Sequence, residues 1–319
     1  LQSFLHLEKL QTKAQSIEEP ARAVSKFSDY AQFMKFRLAS LVVFSAVIGY
    51  FMGIREFSRS ADWVEIIMLI LGGFLVTGSS NGFNQIIERE TDKLMTRTAN
   101  RPIPTGRMSV TEGMIAASIT GAAGIFLLWY YLNPLSGLLS AISLLLYVVL
   151  YTPMKRVSPL AVFVGAFPGA IPAMLGWVAA DPGFGSIGVT ALILFAVQFV
   201  WQFPHFWAIA WVADDDYRKA GFRLLPSAGG RDKSTAFQIL VYTLFLMPLS
   251  VMPLVLPIYS DSKLISTGTI GVLIAVISGV FFAAQAFKLY RTLDTKDASR
   301  VMFGSFIYLP VVQLALLFG

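Results

Sequence analysis

Nine apolar runs divide this chain of 319 residues, at about 34–54, 63–87, 110–131, 136–152, 157–179, 187–212, 235–257, 264–288 and 300–318. As α-helices rising about 1.5 Å per residue, runs of this length cross a hydrocarbon core about 30 Å thick. Charged residues make up only 14% of the sequence and hydrophobic ones 55%, with a mean hydropathy of +0.65. A soluble domain carries about 25% charge. The expected fold is therefore an all-α integral membrane protein, a bundle of about nine transmembrane helices over 31–319. Residues 1–30 precede it as a weakly amphipathic arm without the apolar core of a secretory signal.

The cations set an orientation. Of 25 Lys and Arg, 22 fall in the arm, the start of the first run, and the segments near 88–107, 153–157, 213–234 and 288–300. By the positive-inside rule these lie in the cytosol, as does the N-terminus, and nine spans leave the C-terminus outside. The opening residues form no Arg/Ser-rich leader, which favours a bacterial inner (cytoplasmic) membrane over an organelle. The absence of cysteine rules out disulfides, thiolate catalysis, zinc–thiolate sites and iron–sulfur clusters. No phosphate-binding P-loop, dinucleotide glycine fingerprint, GxSxG or HExxH is present. The basic segments lack interleaved aromatics and sit where the membrane rule explains them, so nucleic acid is not an expected partner; the lipid bilayer is.

The chain turns polar abruptly where the second run ends. Asn84, Glu88 and Asp92 are spaced by four, which on a helix drifts about 40° per step and rises about 12 Å in all. That is a ladder of oxygen ligands suited to Mg²⁺. Arg97 and Arg101 follow it, and their planar forks grip phosphate oxygens bidentately. Together they point to a substrate diphosphate, and the adjoining apolar span points to a lipid-like tail. A solvated helix end would also account for Glu88, Arg89, Glu90 and Lys93, but not for Asn84 one turn deeper in the span.

A second acidic cluster, Asp214-Asp215-Asp216, follows the sixth run. Neighbours in sequence cannot all face one ion, so Asp216 and then Asp215 are the expected additional metal ligands. Upstream, Trp201-Gln202-Phe203-Pro204-His205 places a histidine inside a span. It is read either as a hydrogen-bonded core residue or as a group that meets a flat aromatic acceptor, with Trp201 as part of the wall. Lys155 serves equally as a positive-inside anchor or a phosphate ligand. Gly165 and Gly169 read as helix-packing positions.

These motifs resemble a known family. Asn84-xxx-Glu88-xxx-Asp92 is similar to the NxxxDxxxD motif of UbiA-type intramembrane prenyltransferases, with Glu88 in place of an aspartate. Met95-Thr96-Arg97-Thr98, Asn100-Arg101-Pro102, Tyr151-Thr152, Lys155-Arg156, Trp201 to His205, Asp216-Tyr217, Ala220-Gly221 and Leu224-Leu225-Pro226 look like the haem O synthase (protohaem IX farnesyltransferase) branch. The resemblance covers roughly 30–318. It departs at Ala213 and Tyr217, which stand where a second DxxxD has aspartates, and at Phe36, where the family often has proline between Lys35 and Arg37. It implies Mg²⁺-dependent transfer of a farnesyl group from farnesyl diphosphate to a vinyl group of haem B, with haem B as substrate and not as resident cofactor. The implied catalytic set is Asn84, Glu88, Asp92, Asp216 and His205, with Mg²⁺ held by the first four; Asp215 stays the second choice for a metal ligand from the reading of the aspartate cluster. Arg97, Arg101 and Lys155 would take the diphosphate, and His205 and Trp201 the haem, with His205 either orienting it or moving a proton. Association with a following haem-modifying enzyme or an oxidase assembly is a further expectation. The rival readings are a prenyltransferase of quinone precursors, a transporter, and a non-catalytic haem-handling protein.

Overall fold

A computed structural model describes residues 25–54, 60–255 and 269–318. The chain runs through α1 (Lys26–Met34), α2 (Phe36–Gly53), α3 (Ser60–Ile87), the short α4 (Arg89–Asp92), α5 (Val110–Leu132), α6 (Pro134–Met154) and α7 (Ala161–Ala179). It continues through α8 (Val189–Val212), the short α9 (Asp214–Lys219), α10 (Lys233–Val255), α11 (Thr269–Thr292) and α12 (Thr295–Phe318). Among the described residues nine helices are long and apolar enough to cross a membrane, which bears out the expected all-α bundle. Successive helices pack side by side, α12 returns to touch α2, and α7 and α8 are the most buried.

Several ends differ from the hydropathy reading. The ninth span, expected from about 300, starts at Thr295 because its charged first turn is neutralised locally. Asp297 takes Arg300 at 2.5 Å, Lys288 at 3.6 Å and the Thr292 hydroxyl at 2.8 Å. The fourth span starts two residues early, at Pro134, because Asn133 caps two helices. Its Oδ1 accepts the Ser136 N–H at 2.8 Å, and its Nδ2 donates to the carbonyls of Val178 and Asp181 at the end of α7. The eighth span was expected from about 264, and residues 256–268 lie outside the described residues.

Three local devices shape the interior of the bundle. Gly176 lets α7 lie backbone to backbone on α2, since a Cβ there would collide with the Ala46 carbonyl. Pro172 has no N–H for the Pro168 carbonyl, and the Ser143 hydroxyl donates to that oxygen instead at 3.1 Å. The last turns of α6 widen to a π-helix over Leu146–Tyr151, and π-turns are frequent at functional sites. This one brings Tyr147 and Tyr151 to the wall of an internal cavity.

The end of the expected arm belongs to the bundle. The last carbonyls of α1 receive side-chain amides from α3: Gln85 donates to Gln32 O at 3.1 Å and Phe33 O at 2.9 Å, and Asn81 donates to Met34 O at 3.2 Å. Buried Asp29 pairs with Arg107 at 2.8 Å, and Lys26 with Glu112 at 3.1 Å. Residues 1–24 lie outside the described residues.

Candidate active site

The ladder survives a break in its helix. Glu88 leaves helical geometry at φ −91°, ψ 8°, yet its N–H still donates to Asn84 O at 2.9 Å and the Asp92 N–H to Glu88 O at 2.7 Å. Asn84, Glu88 and Asp92 are all buried and all line one cavity of about 330 Å³. Arg97, Arg101 and Lys155 line the same cavity, as do Trp201 and His205. Eight of the ten residues expected from the sequence therefore meet in one place.

Each carboxylate of the ladder has one cation. Lys155 Nζ lies 2.8 Å from Glu88 Oε1, and Arg101 Nη1 lies 2.7 Å from Asp92 Oδ2. Burial works to raise the Glu88 carboxyl pKa, but Lys155 outweighs it and holds the group below the usual value. At Asp92 burial wins over Arg101 and the carboxyl is raised. Among the described residues Asp92 Oδ1, fully buried, has no hydrogen-bond partner, and Glu88 Oε1 has none of hydrogen-bonding geometry despite its close ammonium. Among the described residues Asn84 Oδ1 accepts only from the Lys35 ammonium, at 3.5 Å.

Such under-satisfied oxygens facing a cavity fit a hard divalent cation. Among the described residues no three His, Asp or Glu converge, so the chain offers two carboxylates and an amide. That is the donor set expected of Mg²⁺, which keeps waters and substrate phosphate oxygens in its shell.

The second acidic cluster is arranged differently from the sequence expectation. The Asp215 side chain is 79% exposed and pairs with Arg231 at 3.1 Å, away from the cavity. Asp216 comes to the loop after the ladder but does not line the cavity. Its Oδ2 accepts the Arg97 backbone N–H at 3.2 Å, and its Oδ1 pairs with Lys219 at 2.9 Å. The Lys219 bond, with those from the Arg97 and Thr96 backbone, pulls the Asp216 carboxyl pKa down to about 2. The contact fixes the loop that carries Arg97, whose guanidinium lies 4.5 Å over the Tyr217 ring.

Lys35 is the main group that the sequence reading left aside. It sits between α1 and α2 at φ 50°, ψ 57°, a left-handed conformation that costs a non-glycine residue about 1–2 kcal/mol. The docking of α1 holds it there and turns its side chain into the cavity, where no carboxylate pairs with it among the described ion pairs. Burial, and then the neighbouring Arg101 and Lys155, push its ammonium well below the usual lysine value. An unpaired cation among cations calls for an anionic ligand. Arg37, two residues on, is exposed. The helix break had no signature, because Phe36 stands where a proline would have announced it.

The far wall is aromatic. His205 stacks on Trp201 with centroids 4.4 Å apart and meets the edge of Phe306 at 4.6 Å. Gly169, expected to be a packing residue, is one, and what it packs is the cavity-lining Gln202.

The profile of the UbiA prenyltransferase family matches residues 42–309. The protoheme IX farnesyltransferase of Cytophaga hutchinsonii is 46% identical over 291 residues, 91% of this chain and 97% of that protein. The protein of the same name from Koribacter versatilis is 34% identical over 301 residues, 94% of this chain and 96% of its own. Among solved structures, digeranylgeranylglyceryl phosphate synthase superposes with a TM-score of 0.71 at 19% identity, over 92% of this chain and 97% of its own. A UbiA homologue from Archaeoglobus fulgidus, bound to DMAPP and Mg²⁺, gives 0.66 at 13% identity, over 89% and 99%. At such identities the superpositions speak for the fold, and the family match together with the sequence relatives speaks for descent: this chain belongs to the UbiA prenyltransferase family.

Proposed function

We propose that this enzyme transfers a farnesyl group from farnesyl diphosphate to a vinyl group of haem B, in a bacterial inner membrane with its cavity open to the cytosol. The names of the sequence relatives support the reaction. The observation that carries it is the junction of an oxygen ladder and four cations, Lys35, Arg97, Arg101 and Lys155, with the apolar and aromatic interior of one cavity.

The costly event is cleavage of the allylic C–O bond, whose electron pair leaves on the diphosphate. Asn84, Glu88 and Asp92 would hold Mg²⁺, which when bound supplies positive charge where negative charge develops. Lys35, Arg97, Arg101 and Lys155 donate to the phosphate oxygens from positions fixed before the reaction, so they need no reorganisation as the bond breaks. Asp216 acts here as a brace for Arg97, and Asp215 remains outside the site. The apolar walls keep water from the allylic cation, and the faces of Tyr147 and Tyr151 attract positive charge. The vinyl π electrons close the new C–C bond. Water adds to the resulting cation and loses a proton, leaving a hydroxyethylfarnesyl side chain.

The test is incubation of the purified protein with haem B, farnesyl diphosphate and Mg²⁺, followed by mass analysis of the tetrapyrrole. The expected product gains one farnesyl group and one hydroxyl. Release of diphosphate only with a hydroxybenzoate or naphthoate as acceptor would move the assignment to quinone precursors.

A further inference from the structure

His205 and Ser305 make a pair whose proton count is fixed by geometry. Ser305 Oγ lies 2.6 Å from the Met302 carbonyl oxygen and 2.7 Å from His205 Nδ1. Both distances are too short for two lone pairs to face each other, so each contact needs a proton between its atoms. The serine hydroxyl supplies one and must donate it to Met302 O, which can only accept. The proton in the other contact then belongs to the imidazole: Nδ1–H donates to Ser305 Oγ. Ser305 is itself held, because its backbone carbonyl accepts the Trp201 indole N–H at 2.9 Å and Trp201 stacks on the same imidazole.

The second ring nitrogen is thereby defined. No carboxylate pairs with His205 among the described residues, and a buried imidazolium without a counter-ion is costly, so the ring carries one proton, on Nδ1. Nε2 keeps its lone pair. It has no hydrogen-bond partner among the described residues and is not one of the sealed polar atoms, while His205 lines the cavity. A neutral imidazole with its Nδ1–H anchored and its Nε2 free is the arrangement by which histidines ligate metals. The rings of Trp201, Phe206 and Phe306 pack against it, an aromatic wall suited to a flat macrocycle.

We propose that Ser305 is a positioning residue that locks His205 as the Nδ1–H tautomer, so that Nε2 ligates the iron of a metalloporphyrin acceptor and thereby orients the ring for reaction. This rests on the haem reading above and adds to it what the acceptor is recognised by: its metal as well as its flat face. Recognition then depends on the iron, and the metal-free macrocycle loses that part of its binding.

The experiment uses the full protein in lipid nanodiscs, titrated with ferric haem B and with metal-free protoporphyrin IX, while the Soret and visible bands and electron paramagnetic resonance are followed. Wild type is expected to give a nitrogen-ligated haem spectrum. His205→Ala should lose that spectrum and regain it with added imidazole. Ser305→Ala should weaken haem binding about 10-fold, in line with other losses behind a metal ligand, and leave protoporphyrin IX binding unchanged; Ser305→Thr should restore haem binding. Farnesylation of haem B by wild type is assayed in parallel. If haem B is never farnesylated, the underlying functional reading fails. If it is farnesylated while His205→Ala keeps the wild-type haem spectrum, the ligation proposal alone fails, and loss of turnover in that variant would then assign His205 to proton transfer. Equal losses for haem and protoporphyrin IX in Ser305→Ala would also overturn it.

Discussion

Asp92 offers the sharpest separation of chemistry from architecture, because among the described residues one of its oxygens has a partner and the other has none. Oδ2 takes Arg101 at 2.7 Å, and Oδ1 is buried and unmatched. Asp92→Asn keeps an oxygen for Arg101 and removes the charge. It exchanges a charge-assisted bond for a neutral one, a stability loss of about 1–1.5 kcal/mol. Asp92→Ala leaves the guanidinium without its partner. Breaking a buried pair costs about 3–5 kcal/mol, and the lower end applies because the Arg101 side chain is 20% exposed and can take up water at the cavity mouth. The two variants should thus differ in unfolding free energy by about 2 kcal/mol. Turnover should not follow that order. In the proposed reaction both lose an anionic ligand for the Mg²⁺ that would offset diphosphate charge, and both should fall by about 10²–10³, the usual size of losing one electrostatic stabiliser. The assay pairs denaturant unfolding in detergent with farnesyl transfer over a range of Mg²⁺ concentrations. Retention of a tenth or more of wild-type turnover by Asp92→Asn would refute the reasoning, as would turnover that falls in proportion to stability.

Lys35→Gln should raise KM for the prenyl diphosphate about 10- to 100-fold, the loss of one charge-assisted bond, with little change in KM for the acceptor; steady-state kinetics in both substrates checks the split. Asp215→Asn should leave activity within twofold and stability within about 0.5 kcal/mol, since an exposed pair contributes little. Asp216→Asn should lower turnover through Arg97 and make the loop after the ladder easier to cleave by protease, which limited proteolysis of both variants would show. Gly169→Ala would drive a methyl into Gln202 and should cost about 1–3 kcal/mol, read as a lowered thermal midpoint.

The bundle was legible because a membrane leaves few options: long apolar runs fix the helices to within a few residues, and the cation asymmetry groups the polar segments. The ladder was legible because its i, i+4, i+8 spacing survives the irregularity at Glu88. What periodicity could not carry was direction at points where the backbone leaves the helix. Asp215 and Asp216 adjoin in sequence, yet one reaches back to Arg97 and the other turns to Arg231. Lys35 is a single cation before a span until α1 docks and twists it inward. Ser305 has no motif at all, and its meaning arises only from a histidine 100 positions away.

The anchoring of α1 has a consequence for biosynthesis. Its final carbonyls wait for amides at positions 81 and 85, and its buried aspartate waits for an arginine at 107. All three are translated dozens of residues later. This helix therefore emerges from the ribosome with its docking partners still unmade, and Lys35 can be delivered only after α3 and the loop that follows it have been synthesised. In a nascent chain arrested before residue 107, crosslinking between α1 and α3 should be weak, and it should strengthen once that arginine has cleared the exit tunnel.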